Sequence, residues 1–223
     1  MNAKLLGFFS GFPTRHFPDG IAERLKEELT DRDSLVFISA WPSDFESNDN
    51  DSAGMHGMFE ECGMPFSRYC VIDDRTEPHD AKRLIREASC IFLMGGHAVR
   101  QFQLMCEKGI VDEIRSSSAV ILGVSAGSIN MAKHAVDIWE SLTPYDGLGL
   151  ADLTVKAHFD LENEELVQTL RQVSMELPVC AMKDESAIFV KEDSITYLGR
   201  IHWIDKGEIR PISQEILEKL RGD

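Results

Sequence analysis

Short runs that are apolar on both faces punctuate the first half of the chain. They cover residues 4–10 (K-L-L-G-F-F-S), 34–39 (S-L-V-F-I-S), 69–72 (Y-C-V-I), 90–94 (C-I-F-L-M) and 119–124 (A-V-I-L-G-V). A strand that is apolar on both faces must be covered on both sides, which helices between parallel strands achieve. Helical patterns do alternate with these runs. Ile21, Leu25 and Leu29 recur four apart on one face. Residues 78–88 begin with a proline, and residues 98–108 follow Gly95-Gly96. The expected fold class is therefore α/β: a three-layer sandwich with a mostly parallel central sheet flanked by helices. Beyond His158 the pattern changes. An acidic helix over residues 162–177 precedes short β segments at 179–182, 187–190, 195–198 and 202–204. Lys206-Gly207 reads as a hairpin turn, and Ser213 as the N-cap of a last helix over 213–220. Residues 42–64 are polar and turn-rich at their start and read as a loop running into a short helix. No repeat or linker divides the chain, so residues 1–223 are expected to form a single domain.

Composition narrows the function classes. The net charge is −15, which argues against nucleic acid and anionic membrane surfaces, since both reward Lys/Arg clusters. Hydrophobic content of 43% suffices for a full core. The five cysteines, Cys62, Cys70, Cys90, Cys106 and Cys180, are odd in number and include no C-x-x-C pair. They read as reduced thiols of a cytoplasmic protein, mostly buried, with no metal or cofactor called for. The apolar run at the N-terminus is short and reads as a first strand, not a signal peptide.

One motif carries chemistry. Gly123-Val124-Ser125-Ala126-Gly127 fits G-x-S-x-G, with a strand before it and a helix after it. A nucleophile on such a turn needs neighbours without bulk, and the following helix start offers N–H groups to a developing oxyanion. Ala126 N–H is the first expected donor. Gly95-Gly96, at the end of another strand run, offers the second. A serine needs a base. Among the seven histidines, His158 follows a strand-like stretch, where parallel sheets collect their chemistry. His97 adjoins the oxyanion loop and reads as a substrate contact along with Gly95. His134 reads as lying on the helix after Ser125, pointed away from it, and His202 as structural. The acid that would orient the base has four candidates: Asp137, Glu140, Asp184 and Glu185.

In this order the residues resemble the S51 serine peptidases, the family of peptidase E and cyanophycinase. The similarity rests on the G-V-S-A-G elbow, Gly95-Gly96 with Leu104 downstream, Gly147-Leu148-Gly149-Leu150, His158-Phe159 and the segment Met182-Lys183-Asp184-Glu185-Ser186-Ala187. The resemblance implies a class I glutamine amidotransferase-like (flavodoxin-like) fold. It also implies a metal-free triad of Ser125, His158 and Glu185, with Asp184 as the second choice of acid and Asp137 and Glu140 in reserve. Amidotransferases of this fold carry cysteine at the elbow, and none of the cysteines stands there. The expected partner is a short peptide, cleaved in dipeptidase fashion, and the candidate assembly is a homodimer. Two departures stand out. His97 replaces the family's usual asparagine, and the loop after His158 reads F-D-L-E-N-E-E-L, acidic where peptidase E carries an arginine. That charge favours a cationic group or a free amine over strict N-terminal aspartate. The rival readings are a non-catalytic ligand-binding relative and an acyl esterase.

Overall fold

A computed structural model describes residues 4–136, 144–192 and 194–219. In chain order the elements are β1 (Leu5–Phe9), α1 (Asp19–Glu28), β2 (Ser34–Ile38), α2 (Phe45–Glu61), β3 (Arg68–Ile72), α3 (Pro78–Glu87), β4 (Cys90–Leu93), α4 (Ala98–Glu107), α5 (Val111–Ser116) and β5 (Val120–Val124). There follow α6 (Ala126–Met131), β6 (His134–Val136), β7 (Pro144–Asp146), β8 (Val155–Lys156), α7 (Glu164–Val173), β9 (Val179–Met182), β10 (Ala187–Lys191), β11 (Ser194–Leu198), β12 (Ile201–Asp205), β13 (Glu208–Pro211) and α8 (Gln214–Lys219).

The central sheet has seven strands in the order β11-β10-β1-β5-β4-β2-β3. Strands β1, β5, β4, β2 and β3 run parallel, and β10 and β11 extend the sheet antiparallel at one edge. Side chains alternate across it with the period of two that strands impose. Leu5, Phe9, Leu35, Phe37, Cys90 and Phe92 pack with Ile21 and Leu25 of α1 and Phe59 of α2. Leu6, Phe8, Val36, Ile38, Ile91 and Leu93 pack on the opposite face with Ile85 of α3, Leu104 of α4 and Met131 of α6. A second sheet, β13-β12-β9-β8, joins that face through Cys180, Met182 and Trp203. Burial pushes the Cys180 thiol up to about 12 and the Cys90 thiol higher still. Cys106 is exposed, Cys62 and Cys70 are half-buried, and all five thiols are free. No helix among the described residues is long and apolar enough to cross a membrane.

Two expectations from the sequence are corrected. Residues 42–64 are not a loop with a short helix: α2 is 17 residues long. Asp44 caps it by accepting from Ser47 N at 3.2 Å. The periodic signal was missing because the buried face of its first half is polar, formed by Asn48 and Ser52. Asn48 is tied into a buried network. Ser39 Oγ donates to Asn48 Oδ1 at 2.7 Å, and Asn48 Nδ2 donates to Trp41 O at 3.1 Å and Asp73 Oδ2 at 3.3 Å. Arg75 then clamps Asp73 and Asp49 together. The second correction concerns α6, which stops at Met131, so that His134 opens strand β6 and does not ride on the helix. The chain leaves helical geometry there because Ala132 bridges to Ala151 and Lys133 N bonds Ala151 O at 3.0 Å.

Deleting Asn48's amide orphans buried partners at once, so Asn48→Ala is expected to cost about 1–3 kcal/mol. Urea unfolding monitored by circular dichroism measures this; a change below about 0.5 kcal/mol contradicts the network's structural weight.

Candidate active site

All the parallel strands deliver their carboxyl ends to one edge of the sheet. Along it stand Ser10 after β1, Ser125 after β5, Gly95-Gly96 after β4, Trp41 after β2 and Asp73 after β3. At the elbow Ser125 has φ 51° and ψ −109°, a strained conformation for a residue with a side chain. The flanking glycines are required by contact, not by φ. A Cβ on Gly127 would stand 2.1 Å from Leu93 O, and one on Gly123 would stand 2.6 Å from Gly127 C. Ser128, fully buried, binds the elbow to β1: its Oγ accepts from Phe9 N at 2.8 Å and donates to Gly123 O at 2.6 Å. Ser125 N donates to Phe9 O at 2.9 Å.

His158 stands beyond β8 with φ 54°. Its Nε2 is 2.9 Å from Ser125 Oγ and its Nδ1 is 2.6 Å from Asp184 Oδ1. With Nδ1–H donated to the carboxylate, Nε2 is left to accept the serine proton. Glu185, the first choice from sequence, is not the carboxylate at this histidine. Its N–H is held by Gly11 O at 2.9 Å and its φ is 64°, which turns the side chain away, where Oε1 accepts from Thr14 Oγ1 at 3.3 Å. Asp137 and Glu140 lie outside the described residues.

Ser10 and Gly11 organise this group, and sequence reasoning did not single them out. Ser10 Oγ accepts from His158 N at 2.8 Å, and its one hydrogen faces Met182 O at 2.9 Å and Asp184 Oδ1 at 3.3 Å. A Cβ on Gly11 would stand 2.5 Å from His158 Cε1 and 2.6 Å from Asp184 Oδ1. The signal was present: both residues follow an apolar strand at the carboxyl edge, the position that singled out His158.

A cleft of about 980 Å³ opens in front of Ser125. Gly96, Ala126, His97, Trp41, Lys156 and Glu165 are among its walls. Gly96 has φ 136°, and a Cβ there would meet Trp41 Nε1 at 2.5 Å, so only glycine fits. Gly95 has no such constraint, its virtual Cβ meeting Ser125 Cβ at 3.6 Å. The loop is pinned by Gln101, whose Nε2 donates to Ile38 O and Met94 O, each at 2.9 Å. His97 caps α4, its Nδ1 accepting from Arg100 N at 3.5 Å, while still facing the cleft. Ala126 N–H, at the first turn of α6, has no intrahelical acceptor. Lys156 is buried in the cleft wall and donates to Ala157 O. His202 lies apart, packed on Phe159, with burial lowering its pKa. Among the described residues no group of three or more His, Cys, Asp or Glu side chains is arranged to hold a metal.

The sequence profile of peptidase family S51 matches residues 10–198, a span that holds Ser10, the elbow, His158 and Asp184. The chain belongs to peptidase family S51. It has the class I glutamine amidotransferase-like fold. Two solved structures share the architecture. A peptidase from an acI-B1 Actinobacterium superposes with a TM-score of 0.72 at 14% identity, covering 95% of each chain. A candidate peptidase E protein from Listeria monocytogenes EGD-e gives a TM-score of 0.67 at 17% identity, covering 88% of this chain and 98% of that one. A curated relative, the pyridoxal 5'-phosphate synthase subunit PdxT of Deinococcus radiodurans, is 27% identical over 115 residues, half of this chain. The S51 chain spans 56% of that relative's length.

The contact at Gly11 gives a direct test of how tightly the site is built. Gly11→Ala is expected to push the His158 ring off Ser125 and to cost about 1–3 kcal/mol from overpacking. A crystal structure of the variant with the ring unmoved would contradict this.

Proposed function

We propose that this S51 protein is a serine peptidase with the triad Ser125, His158 and Asp184. The observation that carries the reading is the continuous hydrogen-bonded line from Asp184 Oδ1 through both His158 nitrogens to Ser125 Oγ, at 2.6 and 2.9 Å. Ser125 Oγ attacks the scissile carbonyl as His158 Nε2 takes its proton. The tetrahedral oxyanion is held by Gly96 N–H and Ala126 N–H. His158 then protonates the leaving amine, and a water molecule activated by the same nitrogen releases the acyl group. Asp184 keeps the imidazole in the required tautomer and stabilises its protonated form.

The substrates are short peptides or related amides, taken in dipeptidase fashion. The acidic stretch after His158 sends Glu165 to the cleft, a charge suited to a free amine and adverse to an aspartate side chain. Strict N-terminal aspartate specificity is not part of the proposal. The five free thiols fit a reducing, cytoplasmic setting.

A fluorophosphonate probe tests the nucleophile. Labelling of the wild type at Ser125, lost in Ser125→Ala and in His158→Ala, is the expected result; a folded wild type that refuses the probe overturns the proposal. The choice of acid is tested separately. Asp184→Asn is expected to lower kcat/KM by about 10³–10⁴-fold, whereas Glu185→Gln should stay within about tenfold of wild type. The reverse ranking would return Glu185 to the triad.

A further inference from the structure

We infer that Trp41 is the specificity-determining wall of the cleft, and that the preferred substrate carries an aromatic side chain beside the scissile bond. This rests on the serine peptidase reading above and names the substrate class that reading leaves open. Trp41 is 42% exposed. Of the large apolar side chains left exposed among the described residues, it is the one that lines the cleft, since Phe45, Tyr69, Leu161 and Met175 do not. Ala98, Ile129, Val136 and Leu166 line the same cleft, so much of the surface around Ser125 is aliphatic or aromatic. A cleft of about 980 Å³ is far larger than a side chain such as alanine or aspartate can fill.

The tryptophan is also held still. Trp41 N donates to Ser39 Oγ at 2.9 Å and Trp41 O accepts from Asn48 Nδ2 at 3.1 Å. Ser39, Asn48 and Asp73 are all buried. The indole edge abuts Gly96, the His97 ring meets it edge-on at 5.6 Å, and the Arg100 guanidinium lies over it at 5.2 Å. A half-exposed indole held by these contacts, in the wall of the cleft that Ser125 also lines, is a ready stacking surface for an aromatic group. An aromatic side chain seated there removes apolar area of both partners from water. An aspartate seated there loses its hydration and gains no such contact.

The test compares Phe-Ala, Ala-Phe, Ala-Ala and Asp-Ala by the release of free amino acids. Phenylalanine at one of the two positions is expected to raise kcat/KM over Ala-Ala by about tenfold or more. Trp41→Ala should abolish that preference and Trp41→Phe should keep most of it. Equal rates for Ala-Ala and the phenylalanine peptides, or a preference for Asp-Ala, overturns the inference. So does a Trp41→Ala variant that loses activity equally on all four, because the indole would then only position Gly96. Binding is read independently of turnover in Ser125→Ala. The phenylalanine peptide should take the indole out of water and shift the tryptophan emission to shorter wavelength, and the shift should be lost in Ser125→Ala/Trp41→Phe. A shift that persists there, or none in Ser125→Ala, overturns the inference. Because this arm needs no catalysis, it can stand or fall while fluorophosphonate labelling separately decides the nucleophile.

Discussion

The site depends on a contact that permits no side chain. Gly127 lies against the Leu93 carbonyl so closely that a Cβ would stand 2.1 Å from the oxygen. That approach lets the turn after β5 sink between its neighbours in the sheet, β4 and β1. Ser128 can then reach Phe9 on β1, and Gly123 can pass beneath the first turn of α6. The strained backbone at Ser125 is thus over-determined from both sides, as such strain must be to persist. Gly95-Gly96 at the end of β4 and Ser10-Gly11 at the end of β1 are brought beside Ser125 by the same packing.

The hydrogen-bonded line from Ser125 through His158 to Asp184 is assembled across two sheets. Ser125 belongs to the large sheet. His158 follows β8 of the small one, and Asp184 stands in the turn that carries the chain from β9 of the small sheet back to β10 of the large. Ser10 joins the two. It receives the backbone N–H of His158 and faces both Met182 O and Asp184. One buried hydroxyl therefore fixes the height of the histidine and keeps a partner on its carboxylate. The same logic operates at the far wall, where buried Asp73, Asn48 and Ser39 hold the backbone of Trp41 beside the Gly95-Gly96 loop.

Where sequence and structure part company, the cause is specific. Helix α2 was illegible because polar Asn48 and Ser52 occupy core-facing positions that periodicity expects to be apolar. His134 was misplaced because a helix of six residues ends on tertiary bonds to Ala151, with no glycine or proline to announce it. The exchange of Glu185 for Asp184 has the same origin. Both carboxylates occupy one turn, and the side chain that reaches the histidine is set by the Gly11 O bond and the positive φ at Glu185.

By itself the sequence determined the layered α/β architecture, because runs apolar on both faces have to be covered on both sides. It also determined Ser125 as the nucleophile candidate, since glycine spacing at a strand end is local chemistry. It brought His158 forward through its place after a strand. Only the tertiary structure decided which carboxylate meets that histidine, that Ser10 ties the arrangement together, and that Trp41 walls the cleft. Those relations join residues up to 174 positions apart, as between Ser10 and Asp184. They are fixed by strand order and by close contacts at Gly11, Gly96 and Gly127, which no local pattern encodes.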